Sequence, residues 1–513
     1  MTRVDTAAER RAKKALISGE PLVVVEAPAG CGKTHIASNY AAWLVRTKAR
    51  TNILILTHTH AACDVFRMRT RDVSSAVTIS TFDGFISQIC TAYHQSLKLP
   101  KDVSKWARDT VGGFEELGRA ALSLLQASPA LLQAISLRYP FVLCDEHQDS
   151  NPYQNGIVLA LQNAGTMVRI FGDPMQEIYG KGEIERTARK DQWSALLASA
   201  GAFEQLDHPH RWDKGCSELG AWILEARELL KRGQPIELSK KRSRGLKVII
   251  AEKISPKARG FQLAKAPGRS FREMVQNKEP LMVLASQNEL VNGVNAFLGR
   301  SIPIWEGHQR EALSQLVRRC KEGNGDAALM ADAFRLFVQA TGTGFSDSAF
   351  AKRLLQEVSE ECTKPSRGKV LLIQAIANHI LTTPTHVGIA AALTELAQLR
   401  KNNAEFSGVH INHRREFWEA VKLGKFPDPE LGFAELTSQR NFGNKSMPNK
   451  VISTIHKAKG LESDHVVVTA FDRGNFPDTE EKRCLLYVAL SRAKHSVTII
   501  ASKNAPSPLF RGL

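Results

Sequence analysis

The sequence predicts an α/β fold with two parallel sheets that are interrupted by helical insertions. Short apolar, β-branched runs alternate with helical stretches through about the first 205 residues. Continuous apolar strands separated by helices are typical of a parallel sheet that is covered on both faces. A second set of such runs follows, split by a long helical stretch, and 513 residues are more than one core accommodates.

The apolar runs are the expected strands. The first sheet is predicted to contain Leu22–Glu26, Asn52–Thr57, Val77–Ser80, Phe141–Cys144 and Met167–Phe171. The second is predicted to contain Leu246–Ala251, Leu281–Ala285, Lys450–Ser453, Asp464–Thr469 and Ser496–Ala501. The stretch between the two parts of the second sheet has helical periodicity, as in residues 311–320, where the apolar side chains fall on one face.

These patterns divide the chain into four predicted segments. Residues 1–205 form the first α/β domain, with a helical insertion at about 91–139. Residues 206–306 and 445–513 form the two parts of the second α/β domain. Residues 307–444 form a helical accessory insertion between those parts.

The composition favours a cytoplasmic protein with a polyanionic partner. The net charge is +17, and such a surplus of Lys and Arg speeds association with polyanions, of which nucleic acid is the usual one. No apolar run is long enough to span a membrane, so no membrane partner is expected. The eight cysteines form no C-x-x-C pair, which argues against a zinc ribbon and favours reduced thiols.

The first motif with a chemical role follows the first predicted strand. Tight glycine-containing loops let backbone N–H groups approach phosphate oxygens, and a following helix N-terminus adds a favourable dipole. The lysine of such a loop reaches the β- and γ-phosphates, and the next hydroxyl binds Mg²⁺. The predicted nucleotide-binding residues are Ala27, Pro28, Ala29, Gly30, Cys31, Gly32, Lys33 and Thr34.

Two further strand ends carry polar groups that suit nucleotide hydrolysis. Asp145 and Glu146 end a strand about 110 residues after the loop. Asp145 is predicted to hold Mg²⁺ and Glu146 to orient and deprotonate the attacking water. The next strand ends in Gly172–Tyr179, where Gln176 is predicted to sense the γ-phosphate.

Seven motifs in the family's order make the chain resemble the UvrD/Rep/PcrA helicases of superfamily 1. Three of the motifs are the strand ends described above. Two more are Leu-Thr-His-Thr-His-Ala-Ala at 56–62 and Ser-Thr-Phe at 80–82. The other two are Val-Ile-Ser-Thr-Ile-His-Lys-Ala-Lys-Gly-Leu-Glu at 451–462 and Glu-Lys-Arg-Cys-Leu-Leu-Tyr-Val-Ala-Leu-Ser-Arg-Ala-Lys at 481–494. The resemblance implies two RecA-like P-loop motor domains with parallel sheets, interrupted by helical accessory insertions, and ATP with Mg²⁺ between them.

The resemblance also implies roles for single residues. Arg211 and Arg492 of the second motor domain would join Gln176 around the γ-phosphate, so that hydrolysis requires closure of the cleft. Glu462 would contact the ribose, and His35 and His210 occupy the two positions that sandwich adenine. The expected DNA-binding residues are His58, Thr59, Thr81, Phe82, Tyr179 and His456. Core roles for Phe82 and Tyr179, and a loop-stabilising role for His456, remain alternatives.

The chain departs from the family at three places. The family's adenine-reading glutamine is missing from residues 8–14, and histidines replace the usual adenine-stacking pair. After Tyr179 the chain reads Gly-Lys-Gly, where the family has a base-stacking aromatic, and Trp193 is a candidate substitute. Basic residues at Lys240, Lys241, Arg242 and Arg244 indicate a solvated loop, with a DNA contact as the alternative.

The resulting expectation is an ATP-dependent 3′→5′ single-stranded DNA translocase or helicase. A DNA-stimulated ATPase switch that controls a partner nuclease, and an RNA-directed motor, remain alternatives. In size and plan the chain also resembles the helicase subunit of the Gabija antiphage system, which works with a separate nuclease. A partner nuclease or another defence or repair subunit is therefore a further expectation, as is the absence of a fused C-terminal nuclease.

Overall fold

The computed structural model describes residues 5–48, 51–110, 112–180, 182–238, 243–251, 263, 265–305, 310–442 and 447–512. The predicted basic loop at Lys240, Lys241 and Arg242, and Lys181 after Tyr179, lie outside these residues. The chain forms two compact units, of which the second comprises Gln287–Lys457. This second unit begins about 20 residues before the predicted helical insertion at 307–444 and ends about 13 residues after it. The four-segment division itself stays a prediction.

The described residues contain fifteen strands and twenty α-helices. The strands are β1 (Leu22–Glu26), β2 (Ile53–Thr57), β3 (Val77–Thr81), β4 (Phe141–Cys144), β5 (Met167–Gly172), β6 (Ala202–Gln205), β7 (Ile236–Glu237), β8 (Leu246–Ala251), β9 (Leu281–Ala285), β10 (Gly342–Thr343), β11 (His410–Ile411), β12 (Lys450–Thr454), β13 (Ser463–Phe471), β14 (Ala493–Ser502) and β15 (Phe510–Arg511). The helices are α1 (Ala7–Leu16), α2 (Lys33–Thr47), α3 (His60–Arg69), α4 (Phe82–Ala92), α5 (Val103–Asp109), α6 (Gly113–Ala127), α7 (Pro129–Arg138), α8 (Pro152–Asn163), α9 (Gly182–Ser199), α10 (Ser217–Lys231), α11 (Lys265–Asn277), α12 (Asn288–Phe297), α13 (Glu311–Glu322), α14 (Ala327–Thr341), α15 (Lys352–Ser359), α16 (Lys369–Thr382), α17 (His386–Asn402), α18 (Arg414–Leu423), α19 (Pro429–Phe442) and α20 (Glu480–Leu490).

The first sheet is parallel throughout and has the order β3-β2-β4-β5-β1-β6. Its central strands β1, β2 and β4 are buried and largely apolar on both faces because helices cover both sides. Val23 and Val25 of β1 pack with α1 and α2, whereas Leu22 and Val24 pack into the cluster on the other face, which includes residues of α4, α6, α8 and α9. The ends of β1, β4 and β5 therefore lie at one edge of the sheet, as the sequence predicts.

The second sheet of the first unit contains four parallel strands in the order β9-β13-β14-β8. Helix α10 packs against α20 and also contacts β14. Both sheets and their helices confirm the predicted α/β class. The expected strands agree with the observed ones to within about three residues at each end.

The second unit is mainly helical. Its core is formed by apolar residues of α13 to α19, including Phe334, Phe337, Phe406 and Phe417. Strand β12 also lies in this unit, where Ile452 forms a parallel bridge with Ile304. In the part of the chain described, no single helix is long and apolar enough to cross a membrane; the pair α6 and α7 reaches that length only across a 102° bend.

Candidate nucleotide site

The loop after β1 has the backbone of a phosphate-binding loop. Gly30 and Gly32 have φ values of +76° and +87°, a region that L-residues with a Cβ rarely occupy. Gly30 also has no room for a side chain, because a Cβ there would lie 2.7 Å from Cβ of Arg211. Helix α2 begins at Lys33 directly after Gly32, so its N-terminus faces the loop. The predicted strand–loop–helix geometry is present.

Lys33 lies among the two carboxylates at the end of β4. Its Nζ is 3.5 Å from Oδ1 of Asp145 and forms an ion pair with Glu146. Burial alone lowers the pKa of Lys33, but the two carboxylates raise it above its ordinary value. Burial raises the pKa of Asp145, with Lys33 opposing, whereas Lys33 and Lys459 overcome burial and lower the pKa of Glu146. Lys33 is therefore charged, and Glu146 is an ionised base.

The site fits a hard divalent cation. Oδ1 of Asp145 is buried and accepts no hydrogen bond from the described residues. A buried carboxylate oxygen without a hydrogen-bond donor suits a cation of the Mg²⁺ class, which prefers oxygen ligands. Thr34, the second residue of α2, offers a hydroxyl oxygen beside Lys33. These two residues are those predicted to bind the metal.

A continuous chain of side-chain contacts runs from Lys33 to Arg492. Nε2 of Gln148 donates to Glu146 (2.7 Å), and Oε1 of Gln148 accepts from the backbone N–H of Asp173 (3.0 Å). Nε2 of Gln176 donates to Asp173 (2.9 Å), and Nη2 of Arg492 donates to Oε1 of Gln176 (3.4 Å). The predicted γ-phosphate sensor and one predicted arginine are thus connected to the predicted base.

Arg492 is held in the interior by several acceptors. It is 2% exposed, and it donates to the backbone oxygens of Val488 and Leu461 and to the Ser491 hydroxyl. Burial, and after it the neighbouring Arg211, lower the pKa of Arg492 to about 10. A guanidinium fixed in this way is oriented before any anion arrives.

Arg211 lies directly against the phosphate-binding loop. Its backbone N–H donates to Gly30 (3.1 Å), and its side chain donates to the carbonyl of Ser491 and pairs with Glu462 at 2.5 Å. Lys494 pairs with the other oxygen of Glu462 at 3.2 Å. Although burial raises the pKa of Glu462, these two cations lower it below its ordinary value. The predicted ribose contact, Glu462, is therefore an ion-pair partner of a predicted catalytic arginine.

The two histidines predicted to sandwich adenine have separate hydrogen-bond partners. His35 is 3.0 Å from Asn39 and 3.4 Å from Arg69. Nε2 of His210 is 2.9 Å from Glu9, and Nδ1 is 3.0 Å from Asp213. Glu9 lies on α1 and also caps that helix together with Thr6. Helix α1 thus presents a carboxylate to His210.

Two of the predicted DNA-binding residues are helix caps, and one is a core residue. Thr59 caps α3 and Thr81 caps α4 through their side-chain oxygens. Phe82 is only 2% exposed, and its ring centroid lies 4.7 Å from that of His58. The ring packs in the core of the first sheet, which favours the alternative core role; a contact of Phe82 with DNA stays a prediction.

The remaining aromatic and histidine candidates differ in exposure. Tyr179 is 45% exposed, and Nζ of Lys459 lies 4.8 Å from its ring centroid. Trp193 is 8% exposed and packs against Gly172, so it does not replace the missing stacking residue of the family. His58 is half-buried beside Ser150, and His456 is partly exposed in the turn after β12 in the second unit.

Sequence reasoning missed three residues that hold the site together. The Tyr487 hydroxyl accepts the backbone N–H of Ala29, and Lys459 donates to Asp149 and to the carbonyl of Gln176. Arg227 is completely buried against Asp173 and Glu26. Tyr487 and Lys459 lie inside segments that match motifs of the family, and this position could have indicated their roles. Arg227 lies outside every motif.

Comparison with known proteins gives two family matches. A profile described as an AAA domain matches residues 10–181, and one for the UvrD-like helicase C-terminal domain matches residues 450–500. The chain is 21% identical to DNA helicase II of Salmonella typhimurium and 21% identical to that of Escherichia coli; each alignment covers 95% of this chain and 83% of the relative. A segment covering 11% of each chain is 35% identical to DNA helicase IV of Escherichia coli. The matched profile segments contain Lys33, Asp145, Glu146, Gln176 and Arg492.

Proposed function

Because the chain belongs to the UvrD/Rep-like superfamily 1 helicases, we propose that it hydrolyses ATP to move 3′→5′ along single-stranded DNA and to separate duplex strands. The observation that carries this proposal is the chain of contacts from Lys33 through Glu146 and Gln176 to Arg492. It connects Lys33, the first residue of α2, with a buried arginine beyond α20. Hydrolysis beside the first sheet is thereby coupled to the position of the second.

Nucleotide binding rearranges the charges around Lys33. Lys33 pairs with both Asp145 and Glu146. The phosphates of ATP compete for the same ammonium group, and Thr34 and Asp145 would hold Mg²⁺, which neutralises charge on the phosphate oxygens. Glu146 is then released from its ion pair and acts as the base that orients and deprotonates water. Gln148 keeps the Glu146 carboxylate oriented by its 2.7 Å hydrogen bond.

The two arginines act on the charge that develops on the γ-phosphate. Arg492 is already oriented by backbone carbonyls, and Arg211 lies over Gly30 while it is paired with Glu462. A preorganised guanidinium contributes mainly in the transition state. When the ribose contacts Glu462, Arg211 is freed for the phosphate. His35 and His210 complete the nucleotide site by stacking on the base.

The DNA track is proposed to run over the edge that carries Thr59, Thr81 and Tyr179, with His58 and His456 as further contacts. The +17 net charge supports a polyanionic track, and an exposed aromatic ring stacks on bases without reading their sequence. Tyr179 meets that requirement, since 45% of it is exposed. A cytoplasmic location is proposed as well, in line with eight free cysteines.

A second function, a DNA-stimulated ATPase switch that controls a partner nuclease, is favoured by one observation. Phe82 and Trp193 are both buried, and the chain has Gly-Lys-Gly after Tyr179. Few aromatic faces are therefore offered to unpaired bases, which weakens strand separation more than it weakens hydrolysis. The two functions differ in whether duplexes are unwound.

ATP hydrolysis should be measured with single-stranded DNA, duplex DNA and single-stranded RNA, followed by displacement of strands with 3′ or 5′ overhangs. We expect stimulation by single-stranded DNA and displacement only from the 3′ overhang. Lys33→Ala serves as the inactive control. Stimulation without displacement supports the switch, stronger stimulation by RNA supports an RNA-directed motor, and a chain that hydrolyses no ATP under any condition contradicts the proposal.

A further inference from the structure

Arg227 of α10 is a fully buried charge beside the candidate nucleotide site. Its exposed fraction is 0%, and its Nη2 contacts Asp173 at 2.7 Å and Glu26 at 2.5 Å. Nε donates to the same oxygen of Asp173 at 3.1 Å, and Nη1 pairs with Glu228. Burial lowers the pKa of Arg227, but Asp173, Tyr487 and Glu26 raise it above its ordinary value. The guanidinium therefore stays charged.

Both buried carboxylates lie at the ends of strands that form the nucleotide site. Glu26 ends β1, one residue before the phosphate-binding loop, and Asp173 follows β5. These ends are tied to each other, because the backbone N–H of Ala27 donates to Gly172 at 2.8 Å. Arg227 thus bridges the two acidic groups that flank this backbone contact, with Lys231 as a second cation at Glu26.

Asp173 is also the junction of the contact chain between the base and the arginine. Its backbone N–H holds Gln148, which orients Glu146, and its Oδ2 accepts from Gln176. Arg227 occupies the other oxygen, Oδ1. Without the guanidinium, Oδ1 would keep the backbone N–H of Met175 at 3.2 Å as a donor but lose its buried ion pair. An anion left in this way is costly, so we expect Asp173 to shift toward another donor and to loosen its hold on Gln176.

We infer that Arg227 is a positioning residue for ATP hydrolysis: anchored by Glu26, it acts through Asp173 to set Gln176 and Gln148 relative to α10. This inference rests on the proposed ATPase function. Arg227 touches no nucleotide in this role. Tyr487 supports the arrangement, since its ring centroid lies 5.8 Å from the Arg227 guanidinium carbon and its hydroxyl binds Ala29.

The rival explanation is that Arg227 only stabilises the fold. The two explanations differ in what they predict for kcat and for nucleotide binding. The loop amides and Lys33 bind the ground-state phosphates and do not depend on Gln176, whereas Gln176 and Arg492 act on the transition state. Loss of positioning therefore lowers kcat with little effect on affinity.

The test compares Arg227→Gln and Arg227→Lys with a matched control, Arg169→Gln. Arg169 is also 0% exposed and lies on β5, the strand that precedes Asp173, but it binds the backbone oxygens of Leu16, Ser18 and Glu20. We expect Arg227→Gln to lower kcat about 100-fold while the dissociation constant of a fluorescent ATP analogue changes less than about threefold. Arg227→Lys keeps the charge and should recover part of kcat. Arg169→Gln should lower the Tm but leave kcat within about twofold at a temperature below the transition.

A milder variant keeps the test decisive where Arg227→Gln does not fold. Glu26→Gln leaves Arg227 bound to Asp173, and we expect about a tenfold lower kcat that is not additive with Arg227→Lys, because the residues act as one unit. Lys231→Gln removes the other cation at Glu26, at 2.7 Å, and controls for the loss of charge there.

The inference is overturned if kcat per folded molecule is unchanged in the Arg227 variants. It is also overturned if Arg169→Gln and Arg227→Gln have the same Tm and lose kcat to the same extent. A fall in nucleotide affinity in place of a fall in kcat would overturn it as well. A wild-type protein without any ATPase activity would contradict the proposed function, and with it this inference. A wild-type enzyme that hydrolyses ATP but is indifferent to Arg227 contradicts the inference alone.

Discussion

The hydroxyl of Tyr487 accepts a 2.8 Å hydrogen bond from the backbone N–H of Ala29. Tyr487 lies on α20, which packs with the second sheet, and Ala29 lies in the phosphate-binding loop of the first. Both residues are buried, at 0% and 5% exposure. The loop that is proposed to bind phosphate is therefore partly held by α20, the helix that precedes Arg492, and a change in the position of α20 changes the loop.

Tyr487→Phe should lower the free energy of unfolding by about 1–2 kcal/mol, because it leaves a buried N–H without its acceptor. Urea denaturation of the two proteins measures this directly. Tyr93→Phe, which alters a ring that is 38% exposed, is the control and should have almost no effect. Equal stability of Tyr487→Phe and wild type would mean that the Ala29 N–H finds another acceptor.

Glu146→Gln should bind ATP and single-stranded DNA but hydrolyse ATP at least about 100-fold more slowly, since only the proton-accepting group is lost. Single-turnover hydrolysis and nucleotide titration separate the two effects. Glu357→Gln is a matched control: Glu357 also accepts a 2.7 Å hydrogen bond from a glutamine side chain, Gln374, but lies in the helical unit. Loss of nucleotide binding in Glu146→Gln would make Glu146 a structural residue or a metal ligand.

Most of the first sheet could be predicted from the sequence, because a strand covered on both faces is apolar at every position. Strand β6 could not: its sequence Ala-Phe-Glu-Gln is polar, and it lies at the edge of the sheet beside β1. The helical content of the insertions was also predictable from periodicity. The compact second unit begins at Gln287, within a stretch of ordinary α/β pattern, and nothing in that pattern indicates a boundary.

Most residues of the candidate nucleotide site could be singled out from the sequence because they lie in short motifs, several of them at strand ends. Arg227 could not, since α10 has the charge pattern of a surface helix, with Glu225 and Glu228 beside it. Only the approach of Glu26 and Asp173 buries its guanidinium. Phe82 and Trp193 show the converse problem: their chemistry suits base stacking, but the sequence does not indicate which way an aromatic ring faces.

The affinity for single-stranded DNA should fall steeply as salt rises. If at least about three phosphates are neutralised, the slope of log K against log salt is about −2 or steeper for a single strand. Fluorescence anisotropy with oligonucleotides of unrelated sequence measures both the slope and the expected lack of sequence preference. ATP affinity over the same salt range is the control. A flat slope, or strong preference for one sequence, would contradict the argument from the +17 charge.

His58 should make the protein less stable as the pH falls below about 6.5. Burial above all, and then His147 and Lys459, lower the pKa of His58 to about 3. The unfolded chain binds a proton at an ordinary histidine pKa, whereas the native protein does not. The stabilisation is therefore complete above about pH 6.5 and is lost progressively as the pH falls toward 3.

The free energy of unfolding should fall between pH 7 and pH 5 in wild type. This fall should be about 2 kcal/mol larger than in His58→Asn, because asparagine cannot take up the proton. Urea denaturation at the two pH values gives the four free energies required. His60→Asn, two residues further on at an exposed position, is the control and should behave as wild type. Identical pH dependence in His58→Asn and wild type would show that the native His58 takes up its proton as readily as the unfolded chain.

The last prediction concerns selectivity for the base. Stacking requires only an aromatic face, and α1 contains no glutamine that reads the adenine edge. Instead Glu9 is bound to His210, and the ring centroids of His208 and His210 lie 4.2 Å apart with their planes tilted by 54°. In the proposed sandwich, His210 and His35 stack on the two faces of the base. Such a site holds a purine by its π-face and distinguishes adenine from guanine poorly.

We therefore expect kcat/KM for ATP and GTP to differ by less than about tenfold in wild type, since no hydrogen-bonding group is dedicated to one base. His35→Ala and His210→Ala should each raise KM for both nucleotides by about tenfold, the loss expected for one stacking contact. His208→Ala is the matched control, because His208 shares Asp213 with His210 but is not part of the sandwich. A strong ATP preference that survives both substitutions would show that other groups read the base, and the sandwich would then be discarded.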